Sequence, residues 1–78
     1  MEFSVFLSSV ADVKAFVNAT SVYPHEVDVC SGRYIINGKS IMGLFSIDLS
    51  VPVKVHLSHP GAEADALIEE LGPYVHQG

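Results

Sequence analysis

Lys39-Ser40-Ile41-Met42-Gly43-Leu44-Phe45-Ser46 is the stretch on which the reading of this chain turns. It is too short for a free-standing helix and lacks the period-two alternation of a strand. Ser40 stands where an N-cap belongs, so a short helix capped by Ser40 is predicted. Upstream, Asn37-Gly38 is a strong turn dipeptide. Before it, Val27 and Val29 alternate with Glu26, Asp28 and Cys30, Ser31-Gly32 turns the chain, and Tyr34-Ile35-Ile36 returns as a hairpin partner. Downstream, Val51, Val53, Val55 and Leu57 alternate with Pro52, Lys54, His56 and Ser58. This is the clearest strand in the chain, with Pro52 tolerable only near its start.

Further out, the hydrophobic period changes sharply from one element to the next. Phe3, Val5 and Leu7 alternate with Ser4 and Phe6 as a strand. Val10, Val13, Phe16 and Val17 are spaced as one face of a helix, and Ser9 with Asp12 has the form of a weak capping box. Pro24 ends that helix or follows it closely. His59-Pro60-Gly61 is a turn. Ala64, Leu67, Ile68 and Leu71 line one face of a last helix, with Glu63, Asp65, Glu69 and Glu70 around the other. Acids in its first turn suit the helix dipole. Gly72-Pro73 stops it, and the tail from Tyr74 is expected to be loosely held. The order β-α-β-β-α-β-α, with one apolar face per strand, predicts an α+β two-layer open sandwich: a four-stranded, mostly antiparallel sheet with helices on one face.

Composition bounds the function. With 78 residues the chain is read as one domain, residues 1–78, with no repeat or linker. Its 49% hydrophobic and 17% charged residues exclude intrinsic disorder. Nine acids against four bases give a net charge of −5, and Lys14, Arg33, Lys39 and Lys54 are scattered singly. Direct nucleic-acid binding, which needs a basic face, is therefore not expected. No stretch approaches the ~18 apolar residues of a membrane span. Cys30 is the single cysteine and cannot pair within the chain, which points to a reducing compartment. With Glu2 and no basic segment at the start, a secretory leader is not expected either. The protein is expected to be cytoplasmic.

The string Lys39–Ser46 resembles the segment around the regulatory serine of HPr, the histidine-containing phosphocarrier of the bacterial phosphoenolpyruvate–sugar phosphotransferase system. The Gly32 turn before it, and the last helix approached through Gly61 and carrying Ala66-Leu67, extend the resemblance, and the element order agrees along essentially the whole chain. In that family, phosphate passes from phosphoenolpyruvate through enzyme I to a histidine opening the first helix, within a His-Ala-Arg-Pro-like string. A neutral imidazole is the nucleophile there, and helix N–H groups with an arginine receive the phosphoryl oxygens. Here the stretch is Ser8-Ser9-Val10-Ala11-Asp12. Ser9 stands at the histidine position and Ala11 at the arginine position, and Asp12 repels phosphate. A degenerate member without histidine phosphotransfer, non-catalytic and without cofactor, is the expectation.

The resemblance also implies a role for Ser40, since the matching serine of Gram-positive members is phosphorylated by an ATP-dependent kinase and then read by a transcriptional regulator. Phosphate at a helix N-terminus meets free N–H groups, with Lys39 adjacent. The plain alternative is that Ser40 only caps its helix. Ile41, Met42, Leu44, Phe45 and Ile47 are too many large apolar residues for one short helix to bury. Leu44 is expected inside, while Ile41, Met42, Phe45 and Ile47 are candidate partner contacts. The expected partners are thus a serine kinase of the HPr type and a transcriptional regulator or phosphotransferase-system component. A constitutive interaction module on the same fold is the alternative function. A third possibility is an active phosphocarrier using an unexpected residue.

The other singled-out residues are read as structural. His25, His56, His59 and His76 are expected to be exposed, and no metal site is implied, since His56 and His59 have no third ligand beside them. Cys30 is expected to be a small buried hydrophobe, and Glu69 with Glu70 a solvated helix face.

Overall fold

A computed structural model describes residues 1–76. Strands β1 (Glu2–Val5), β2 (Val27–Ser31), β3 (Tyr34–Asn37), β4 (Val53–Leu57) and β5 (Val75–His76) alternate with helices α1 (Val10–Ser21), α2 (Ile41–Phe45) and α3 (Ala62–Glu70), and a 3-10 turn spans Gly72–Tyr74. The strands form one sheet in the order β3-β2-β4-β1-β5, every pairing antiparallel. The predicted α+β class holds, and the seven predicted elements occur in the predicted order, followed by a 3-10 turn and β5. The strand count does not hold, because the sheet has five strands and not four.

The fifth strand comes from the segment expected to be loose. Beyond α3 the chain tightens, with Tyr74 N–H on Leu71 C=O at 2.8 Å and Phe6 N–H on Tyr74 C=O at 2.8 Å. Val75 and His76 then pair with Val5 and Ser4. A local pattern of two residues carries no strand signal, but the outer edge of β1 presents unpaired backbone groups that the returning chain satisfies. Val51, predicted as strand, lies in the loop before β4 and is exposed, because Pro52 has no N–H for the ladder.

Register explains burial. Phe3, Val55, Val29 and Ile36 stand opposite one another on the helix-covered face, and Val5 opposes Val53 as Val27 opposes Leu57. These side chains meet Val13 and Phe16 of α1, Leu44 of α2, and Ala64 and Leu67 of α3 in one core. The α3 stripe is as expected. In α1 the buried face is Val13, Phe16, Ala19 and Thr20, whereas Val10, placed on the apolar face by its spacing, is exposed. The opposite sheet face carries Glu2, Asp28, Cys30, Lys54 and His56. Cys30 is half-exposed there, not buried as expected, because it alternates with Val27 and Val29 and the helices cover only their side.

The hairpin turn is the two-residue loop Gly32-Arg33, with φ of +58° at Gly32 and none positive at Arg33. That is the type II′ pattern, in which the first central residue must be glycine.

Candidate functional site

Two serines open two helices. Ser9, extended at φ −143° and ψ 165°, caps α1 as predicted, its Oγ accepting from Asp12 N–H at 3.1 Å. The reciprocal half of the capping box is displaced by one residue. The Asp12 carboxylate accepts from Ser8 N–H at 3.0 Å and from Ser8 Oγ–H at 3.1 Å. The space before the helix, where an anion is most favoured, thus already holds a carboxylate.

Ser40 is held by a chain of contacts that starts in α1. Thr20, fully buried, donates its hydroxyl to Gly38 C=O at 2.9 Å, and Gly38 N–H donates to Val27 C=O at 2.7 Å. The Asn37 side chain accepts from Lys39 N–H at 2.9 Å, and Asn37 C=O accepts from Ser40 N–H at 3.0 Å. So placed, Ser40 caps α2 as predicted, its Oγ accepting from Gly43 N–H at 3.1 Å. A Cβ at position 43 would stand 3.3 Å from Ser40 Oγ, so glycine leaves the hydroxyl its room. Ser40 is half-buried.

Lys39 is adjacent in the chain, but its ammonium donates to Tyr23 C=O at 2.6 Å rather than to Ser40. Leu44 is fully buried as expected. Met42 is 78% exposed and Phe45 45%. Ile41 and Ile47 are half-buried and pack against the core, so the outward apolar surface of α2 centres on Met42 and Phe45.

The histidines divide into two classes, which corrects the expectation that all four are exposed. His59 and His76 are exposed, whereas His25 and His56 are half-buried. His25 stacks on His59 with ring centroids 4.2 Å apart, stands edge-on to Tyr23, and brings Nε2 to 3.4 Å from Glu63. His56 lies on the open sheet face, Nδ1 3.5 Å from Glu2, whose other oxygen is 3.7 Å from Lys54. Tyr23 is buried and donates to His59 C=O at 2.9 Å. Burial, with Glu63 adding its charge, raises the Tyr23 phenol above its ordinary pKa. Tyr23 and Thr20 carry no motif, and only their contacts with residues distant in sequence identify them as what positions this end of the molecule. Among the described residues no three His, Cys, Asp or Glu side chains are grouped to hold a metal ion, and no helix is long and apolar enough to cross a membrane.

Among curated proteins none matches the chain. The family model described as "PTS HPr component phosphorylation site" matches residues 12–77. That match begins within α1, runs through the Ser40 segment and takes in α3 and the return of the chain to β1. With the open-faced antiparallel sheet and three helices, it identifies the chain as phosphocarrier-like: it belongs to the HPr family of the phosphotransferase system.

Proposed function

We propose that this HPr-family protein is a non-catalytic regulatory adaptor, switched by phosphorylation of Ser40 and read through α2, and that it does not carry phosphate on a histidine. The observation that carries the reading is the arrangement at α2. The Ser40 hydroxyl sits at the start of the helix, and Met42 and Phe45 stand exposed on the same five residues. Phosphate on Ser40 would add charge within one turn of Met42 and within two of Phe45, so a partner that docks on both senses it directly. Family membership supplies the kind of partner: a serine kinase of the HPr type, and a transcriptional regulator or phosphotransferase-system component.

The loss of histidine transfer is supported at α1. Ser9 is a hydroxyl where the family's string has imidazole, and Asp12 fills the anion-favouring space with its own carboxylate. A phosphoserine ester has far lower transfer potential than a phosphohistidine, so Ser9 is no substitute in a reversible relay.

The test is intact-mass measurement with site mapping after incubation with the family's serine kinase and ATP, a known HPr serving as control in the same tube. One phosphate, lost in Ser40→Ala, is expected. An unmodified chain beside a modified control would remove the switch. The Ser40 capping bond then favours the second reading, a constitutive interaction module in which Ser40 only holds α2.

A further inference from the structure

Helices α1 and α3 leave a groove of about 200 Å³. Its floor is apolar, made by Val22, Pro24, Ala66 and Leu67, with Glu63 and Glu70 also lining it and both exposed. No lysine or arginine lines it; the His25 imidazole stands 3.4 Å from Glu63, and Glu70 has no such neighbour among the described ion pairs. Val22, which closes α1, is 76% exposed beside this apolar lining. The family reading above assigns this face nothing.

We propose that the groove between α1 and α3 docks a basic segment of another protein, which seats one large apolar side chain beside Val22 and sets lysine or arginine against Glu63 and Glu70. The volume fits a single aromatic or branched side chain, and the charge selects its neighbours. Helix α3 carries Glu63, Asp65, Glu69 and Glu70 and no basic residue. Two copies of this chain meeting through that face would set four carboxylates against one another, Glu63 and Glu70 from each copy. Anionic lipid would be repelled for the same reason. A cationic partner is the occupant that both floor and rim favour, since opposite charge at a rim steers and orients while the apolar contact holds.

The probe is a blocked Arg-Phe-Arg peptide, titrated into the ¹⁵N-labelled full chain and followed by amide shifts. Shifts are expected along residues 19–23 and 63–70, with a Kd on the order of 1 mM, as suits one seated side chain. Glu63→Gln with Glu70→Gln should weaken binding about fivefold, the scale of two exposed ion pairs. Val22→Asp, at an exposed site that does not threaten the fold, should abolish it, and Ser40→Ala should bind as the parent does. Blocked Glu-Phe-Glu and Arg-Ala-Arg should both fail. The proposal is overturned if Glu-Phe-Glu shifts the same amides equally, or if the double variant binds unchanged. It is likewise overturned if shifts gather at Met42 and Phe45, or if no shift appears by about 10 mM peptide. Concentration-dependent shifts of these amides without peptide would assign the face to a second copy and also overturn it.

Discussion

At Gly38 the backbone passes so close to β2 that a Cβ would stand 2.5 Å from Val27 Cγ1. The Asn37-Gly38 pair is legible as a turn, yet the demand for glycine comes from a strand eleven residues earlier, which no local pattern discloses. Gly38→Ala is expected to cost about 1–3 kcal/mol, as overpacking does, read from the urea midpoint. Tyr23 is the second such residue. Tyr23→Phe removes the bond to His59 C=O and should cost about 0.5–1.5 kcal/mol. Because burial raises the native phenol's pKa, the folded protein holds that proton more tightly than the unfolded chain. Stability is therefore full below the unfolded value of about 10 and falls as pH rises through and above it. Urea unfolding at a series of alkaline pH values should show that decline in the parent and its loss in Tyr23→Phe. A parallel decline in both would remove Tyr23 as its cause.

Helix α1 carries the proposal on histidine transfer at the level of the element. Its start was legible, since a serine followed three residues on by an acid is a local signal. The destination of the acid was not, because Asp12 turns to Ser8 instead of Ser9. Ser9→His alone is expected to take no acid-labile phosphate from enzyme I and phosphoenolpyruvate, since Asp12 still fills the anion space and Ala11 offers no cation. Ser9→His with Ala11→Arg and Asp12→Pro should gain it. Phosphorylation of the single variant would show that the imidazole was the sole missing part. Helix α2 is the converse case, legible only through its cap. Ser40→Ala is expected to lower stability by about 1 kcal/mol through the lost bond to Gly43 N–H, measured by thermal unfolding.

Across the whole molecule, the return of the chain to β1 sets the last described strand beside the first. Ending the chain at Tyr74 removes Val75, which packs on the core, and the pairing of Val75 and His76 with Val5 and Ser4. That truncation should cost about 1–3 kcal/mol, in the range of a lost core contact with its ladder bonds, and should raise amide exchange along β1. Unchanged exchange in Phe3–Phe6 would show that β5 adds nothing to the sheet.

Periodicity and turn chemistry were enough for the order of elements, the antiparallel hairpin, the buried stripe of α3 and the caps at Ser9 and Ser40. These depend on neighbours within a few residues, where alternation, helical spacing and glycine or serine act directly. The fifth strand, the half-exposed Cys30, the exposed Val10, the ring stack of His25 on His59 and the groove beside Val22 depend on which distant surfaces meet. Two residues become a strand only because β1 has an open edge. Such outcomes are set by long-range packing and backbone satisfaction, which no local run of residues encodes.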